Sequence, residues 1–266
     1  MGDDLIAKFR LEAEAKRRAG EKFSRYFPDC KPACKPDSMD PKDHVWCCRV
    51  LYPRHVLFMD QGRIHRERLF LAANRLGKSD CAAFESTAHV TGEYPHWWTG
   101  RRFEKPVRMW VAGDTMLSTR DILQVAMLGP IDNLDIRHWT GMLPQHAVLD
   151  FSRKSGGISD CVDQIIVSHA SGGKSVVEFK SYDQGRRLFQ GTEQELIWLD
   201  EEAPEDVYAE CLTRTMTTNG LILYTFTPLQ GLTPGLQHYL ETAVMPDDKG
   251  ELRSAYEIFF PAGQAA

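Results

Sequence analysis

The feature that most narrows what this chain can become is Leu69-Phe70-Leu71-Ala72-Ala73-Asn74-Arg75-Leu76-Gly77-Lys78-Ser79. A short apolar run stops at Ala73, a polar turn ends in Gly77-Lys78-Ser79, and a helical pattern follows from Asp80 to Val90. Strand, turn and helix in that order are the context a phosphate-cradling loop requires. Backbone N–H groups of Ala73, Asn74, Arg75, Leu76 and Gly77 would surround phosphate oxygens, and the helix start would add partial positive charge. Lys78 is spaced to reach the β- and γ-phosphates, and the Ser79 hydroxyl to ligate Mg²⁺. The usual pattern opens on Gly where this chain has Ala72, which marks a variant loop, because Gly reaches backbone conformations closed to Ala. A second Gly-Lys-Ser, at Gly173-Lys174-Ser175, serves as a control. It lies between Ile165-Ile166-Val167 and Val176-Val177-Glu178-Phe179, so a strand follows where a helix is needed, and the pattern predicts a β-hairpin.

The second strong signal is Leu196-Ile197-Trp198-Leu199-Asp200-Glu201. An apolar run ending in two acids reads as a buried strand that delivers carboxylates to its C-terminal edge, where α/β folds place ligands. Asp200 would orient Mg²⁺ through its water shell, and Glu201 would align or deprotonate an attacking water. The further acids Glu202, Glu205 and Asp206 belong to the first turn of a helix opened by Pro204. A last core strand, Leu221 to Phe226, ends at Thr227-Pro228, and Thr225, Phe226 and Thr227 at its tip could contact the γ-phosphate through water and relay its loss, or could simply begin a turn. Upstream, Tyr52-Pro53-Arg54-His55 opens an amphipathic helix ending near Gly62, where Tyr52 and His55 could hold a nucleotide base or pack the helix on the sheet. Arg186 and Arg187, in a Gly-bounded loop, could sit on a solvated face or reach a nucleotide in this subunit or a neighbouring one.

The other stretches carry weaker signals. Residues 3–22 read as a charged helix with a narrow apolar face, either a solvated arm or a helix that docks on a neighbouring subunit. Cys30, Cys34, His44 and Cys47 have the types to hold zinc, but their spacing is not that of a familiar finger and free cysteines are commonly buried as small apolar residues. Trp97 and Trp98 lie among basic residues at Arg101 and Arg102, an interleaving that can stack single-stranded nucleic acid but more commonly caps a core. Residues 133–163 are polar and irregular and read as surface loops. The chain has 266 residues, enough for one large α/β domain. Its formal charge of −5 argues against nucleic-acid binding through the whole surface. No apolar run has the length of a membrane span, the acidic start is no secretory signal, and seven cysteines without one point to a reducing cytoplasm.

Taken in order, Ala72–Ser79, Thr91-Gly-Glu-Tyr-Pro95, Gly100-Arg-Arg-Phe103, Tyr182-Asp-Gln-Gly-Arg186, Phe189-Gln-Gly191, Trp198-Leu-Asp-Glu-Glu202, Leu212-Thr-Arg-Thr215 and Thr225-Phe-Thr-Pro228 resemble the ATPase domain of tailed-bacteriophage large terminases, on the branch that packages DNA by the headful route. The likeness runs from about Tyr52 to Gly231. It implies a three-layer α/β fold of the RecA-like (ASCE) P-loop type with a mainly parallel sheet. It also implies a pentameric motor in the host bacterial cytoplasm, mounted on the portal protein at the procapsid vertex. Such a motor would hydrolyse ATP to drive double-stranded DNA inward, with a small terminase subunit choosing the DNA. By the same likeness Lys78 and Ser79 hold phosphates and Mg²⁺, Asp200 and Glu201 serve hydrolysis, and Thr225 to Thr227 couple it to motion. This chain has His55 where the family offers Gln to adenine, and its loop arginine, Arg75, falls one residue late, so Arg186 or Arg187 is the better candidate for an arginine finger acting across a subunit boundary. The expected division is an arm and Cys-rich loop over 1–50, an ATPase core over 51–245 and a strand or linker over 246–266 leading toward a nuclease domain. No second cluster of metal-binding acids follows, so DNA cleavage is not expected of this chain. A guanine-specific Asn-Lys-x-Asp signature and a second RecA-like unit are both missing, which leaves a metabolite kinase and a nucleotide-binding scaffold as rivals.

Overall fold

Four apolar runs become central strands because each carries large side chains on both faces. These are β1 (Glu67–Leu71), β2 (Arg108–Gly113), β6 (Leu196–Asp200) and β7 (Leu221–Phe226). Side chains alternate with period two along a strand, so each run divides itself between two cores. Phe70, Met109, Val111, Trp198, Leu221 and Leu223 enter one cluster, and Leu69, Leu71, Trp110, Ala112, Ile197, Leu199, Ile222 and Tyr224 enter the other. Burial on both faces is what makes parallel strands read as continuous apolar stretches. The first cluster is closed by α2 (Pro53–Gln61) and α3 (Lys78–Thr91), through Phe58, Met59, Ala82 and Phe84. The second is closed by α6 (Glu205–Met216), through Val207 and Cys211, and by Phe189. The result is a three-layer α/β domain of the RecA-like type.

The computed structural model describes residues 21–27, 35, 49, 52–130, 139–155, 158–227, 233, 236 and 256–258. Within them the sheet has eight strands in the order β3-β4-β5-β2-β6-β7-β1-β8. β5 (Lys174–Ser181), β2, β6, β7, β1 and β8 (Tyr256–Ile258) pair parallel. β3 (Val148–Arg153) and β4 (Val162–Ser168) extend the sheet antiparallel beyond β5. The second Gly-Lys-Ser lies in the β4–β5 hairpin, with Gly172 at φ 89° in the turn and Lys174 opening β5. The position of β7 matters most for the site. It separates β1 from β6, so its tip lies between the loop that leaves β1 and the acids that end β6.

One stretch differs from the expectation. The irregular surface predicted over 133–163 instead contains buried Trp139, Met142 and Leu143, a 3₁₀ turn at Gln145–Ala147 and the edge strand β3. β3 escapes a period-two reading because its pairing with β4 shifts register between Val148 and Asp150, leaving Val148 and Phe151, three apart, as its inward residues. The stretch 116–128 is helical but interrupted. Met116–Ser118 (α4) and Val125–Leu128 (α5) flank a π-helical stretch at Thr119–Gln124. Trp98 is buried, with its Nε1 donating to the Arg101 carbonyl at 2.8 Å, and Trp97 stacks on Phe84 at 6.0 Å, so this pair caps the core. The charged helix expected before Lys22 and the zinc candidates Cys30, Cys34, His44 and Cys47 lie outside the described residues, apart from α1 (Lys22–Arg25).

Candidate active site

The loop after β1 begins at Ala72, whose N–H donates to the Phe226 carbonyl at 3.2 Å and so ties it to the end of β7. Ala72 is not among the residues with positive φ, which explains why Gly is dispensable there. The left-handed conformations fall later, at Arg75 (φ 63°) and Gly77 (φ 77°). Only glycine fits the second: a Cβ at Gly77 would lie 3.2 Å from the His55 ring, in a backbone conformation that L side chains resist. Asn74, Arg75 and Leu76 are exposed, Ala73, Gly77 and Ser79 half-buried, and Lys78 is buried at the first turn of α3.

Lys78 points back under the loop. Its Nζ donates to the carbonyls of Ala72 and Ala73, at 3.0 and 3.1 Å, and to Thr227 Oγ1 at 2.7 Å. Thr227 in turn donates its hydroxyl to Asn74 Oδ1 at 3.1 Å and its backbone N–H to Glu201 Oε2 at 3.3 Å. One residue at the tip of β7 thus touches the loop, the lysine and the second acid of the β6 edge. The first acid, Asp200, sits opposite Thr225 in the β6–β7 register, and Thr225 Oγ1 donates to Asp200 Oδ1 while accepting from Trp198 Nε1 at 2.8 Å. Phe226 is buried beside Tyr224 and contributes its carbonyl to Ala72. Glu201 leaves the strand at φ 61°, an uncommon conformation for a residue with a side chain, held by its N–H bond to the Thr225 carbonyl at 2.8 Å.

Burial sets the electrostatics. It pushes Asp200 up to about 7, with neighbouring Glu201 adding and the Thr225 bond and Lys78 opposing. Glu201 is also raised by burial, against its bond from Thr227 and the Lys78 charge. Lys78 is lowered by burial, and Glu201 and Asp200 restore part of that. A buried ammonium beside two carboxylates reluctant to ionise forms a site in which added anion and cation would both find partners. Among the described residues no three His, Cys, Asp or Glu side chains gather into a cage for a metal. Ser79 and Asp200 are hard oxygen donors, which suits Mg²⁺, an ion that keeps waters and takes phosphate oxygens instead of a full protein shell.

The remaining candidates divide. His55 does not face outward: it is buried, its Nε2 lies 3.0 Å from the Leu76 carbonyl, and Tyr52 packs edge-on against its ring at 5.2 Å. Arg186 is exposed but paired, its Nε 3.0 Å from Glu210 Oε2, while Arg214 takes Glu210 Oε1 at 2.8 Å. Arg187 is exposed and makes no side-chain hydrogen bond or ion pair among the described residues. Three groups at the site escaped the sequence reading. Asp114, just past the tip of β2, acts electrostatically on Glu201, and the rule that singled out Asp200 (an acid at a strand's C-terminal end) would have found it. Tyr182 lies in the family-like stretch 182–186, but nothing local marks its buried hydroxyl, which donates to the Asp200 carbonyl at 3.0 Å, and no local pattern marks Glu210.

Comparison with known proteins identifies the family. A family model described as terminase large subunit, T4likevirus-type, N-terminal, matches residues 69–254. The terminase large subunit of Salmonella phage P22 is 34% identical over 207 residues, covering 71% of this chain and 41% of that protein, so this chain spans less than half of its relative's length. The crystal structure of the HK97 bacteriophage large terminase superposes with a TM-score of 0.51 at 15% identity, over 92% of this chain and 45% of that one, a likeness of fold. The chain belongs to the terminase large subunit family of tailed bacteriophages, in the N-terminal part that its T4-like family model describes.

Proposed function

We propose that this chain is the ATP-hydrolysing part of a viral motor that drives double-stranded DNA into a procapsid. The observation that carries the reading is the position of Thr227, in contact at once with Lys78, Asn74 and Glu201. A phosphate-binding lysine and a candidate general base joined through one strand tip form an arrangement in which a phosphate-loaded state and a phosphate-free state differ at the end of β7. Phosphate oxygens entering the loop would replace the Ala72 and Ala73 carbonyls as acceptors for Lys78. The loop N–H groups from Ala73 to Gly77 would supply the rest of the cradle. Ser79 and Asp200 would hold Mg²⁺, which supplies charge neutralisation across the β- and γ-phosphates when bound. Glu201 would align the attacking water, and Thr225 to Thr227 would carry the change into β7.

Membership of the terminase family supports DNA, a portal and a small subunit as the partners, and a ring of five copies at the procapsid vertex in the host cytoplasm as the working form. No described helix is long and apolar enough to cross a membrane. The site lies within the proposed 51–245 core.

The test is phosphate release measured with and without double-stranded DNA and portal-bearing procapsids. We expect turnover that rises in their presence, loss of nucleotide binding in Lys78→Ala, and retained binding with turnover lowered at least about 10²-fold in Glu201→Gln. Phosphate transfer to a small acceptor instead of water would make the protein a kinase. Binding without turnover would make it a scaffold.

A further inference from the structure

We infer that His55 is a positioning residue for the phosphate loop: from α2 it holds the Leu76 carbonyl and thereby sets the turn through Gly77 that aims the loop N–H groups outward. The inference rests on the loop being a phosphate site, and it gives the position a role other than contact with a nucleotide base.

The geometry is specific. His55 Nε2 lies 3.0 Å from the Leu76 carbonyl. A carbonyl only accepts, so Nε2 carries the proton and the imidazole is the donor. The ring is 7% exposed and is enclosed by Phe27, Tyr52 and Phe70, with centroids 5.7, 5.2 and 5.0 Å away. Turning it outward toward a base would break those contacts and strand the donor. The same nitrogen faces Gly77 closely enough that a Cβ there would come within 3.2 Å of Nε2. The Leu76 side chain is exposed, so packing by its own side chain does little to hold this turn. A second tie reinforces the first: Cys81 Sγ, in the first turn of α3, approaches the His55 carbonyl at 3.9 Å. Two contacts from one residue of α2 therefore bracket Gly77-Lys78-Ser79. Burial lowers the imidazole to about 4, so near neutral pH it works as an uncharged donor and adds no charge to compete with Lys78 for phosphate.

A probe without a base separates this role from base recognition. Equilibrium binding of Mg²⁺–ATP, Mg²⁺–GTP and Mg²⁺–tripolyphosphate is measured on the full chain for the wild type, His55→Phe, which keeps a flat ring and loses the donor, and His55→Gln, which restores an amide donor. Positioning predicts that His55→Phe weakens all three ligands in parallel, roughly tenfold, the order that one neutral hydrogen bond supports. His55→Gln should recover to within about threefold of the wild type. An unchanged affinity for tripolyphosphate with a collapsed preference between ATP and GTP would overturn the inference and return His55 to the base. Equal weakening in His55→Phe and His55→Gln would overturn it in favour of simple packing. If His55→Phe does not fold, His55→Asn and His55→Gln carry the comparison, because the shorter amide cannot span to Leu76 and should behave as the lost donor. A wild-type chain that binds neither ATP nor tripolyphosphate would sink the phosphate-site reading itself, an outcome distinct from any difference among the variants.

Discussion

At the scale of single residues, the site is arranged so that its charges are costly until a ligand arrives. Asp200 shows this most directly, being buried against Thr225 and pushed up to about 7 by that burial. The sign of the linkage follows. The unfolded chain releases this proton near the ordinary carboxylate value, the folded chain only near 7, so stability from the neutral form is complete in acid and is lost as pH rises through 7. Asp200→Asn keeps an oxygen for Thr225 and removes the charge. In buffer free of Mg²⁺ and nucleotide it should raise the melting temperature by several degrees at pH 8, the gain shrinking toward pH 5, while abolishing turnover. A melting temperature lowered at pH 8 would refute the assignment. Lys78, Ser79, Asp200 and Glu201 stand out as candidates in the sequence because the chemistry that marks them is local: a Gly-Lys-Ser turn before a helix, and acids at the end of an apolar run, and the structure brings Lys78 near both acids. The partners that shape them were not. Thr227 meets Lys78 across 149 positions of chain and Arg186 meets Glu210 across 24, and such pairings are decided by strand order.

Elements explain why the site assembles at all. Because β7 intervenes between β1 and β6, its tip must lie between loop and acids, and the short polar residues there are in position to bridge them. The strands themselves were readable, since burial on both faces leaves long apolar runs, whereas β3, paired on one side and bulged, left none. The helix that carries the loop, α3, is buried almost throughout, polar residues included. Arg68 of β1 donates to Glu85 Oε1 at 2.6 Å and Oε2 at 3.1 Å, with both side chains fully buried. His89 lies 3.3 Å from the same carboxylate and 3.0 Å from the Tyr94 hydroxyl, which accepts the Phe103 N–H at 2.7 Å. Burial tends to raise Glu85, and the Arg68 charge overcomes it, holding the carboxyl below its ordinary range. This network pins α3 to β1 on the two sides of the loop. Removing one partner leaves the other charged and unpaired, so Glu85→Ala should cost about 3–5 kcal/mol in urea unfolding. The double replacement Arg68→Met with Glu85→Leu should recover most of that loss, because paired apolar groups of similar volume avoid the desolvation penalty. Additive losses in the double variant would show that the pair is not a unit.

For the whole molecule, the open question is what completes the site in the proposed ring. Among the described residues Lys78 is the cation that acts on the acids at the loop, and hydrolysis of a triphosphate gains most from a second cation at the developing charge. The two adjacent arginines after β5 are not equivalent. Arg186 is committed to Glu210, which is 6% exposed and also grips Arg214, so it helps fix the short 3₁₀ turn Arg186–Phe189 against α6. Arg187, one residue on, is exposed and uncommitted among the described residues. We expect Arg187→Ala to leave nucleotide affinity nearly intact and to lower turnover of assembled rings by roughly 10³–10⁵. Arg186→Ala should act mainly through the turn, with a small cost in stability because its side chain is more than half exposed. Mixing separates a residue acting across a boundary from one acting within its own chain. Arg187→Ala subunits keep a working loop, and Lys78→Ala subunits keep a working arginine. A ring containing both therefore forms some sites with an intact loop from one subunit and an intact arginine from its neighbour, and such rings should regain DNA-stimulated turnover that neither variant shows alone. If the mixture stays dead while each variant still enters rings, Arg187 serves the nucleotide of its own subunit, and the cation from the neighbour must be sought elsewhere.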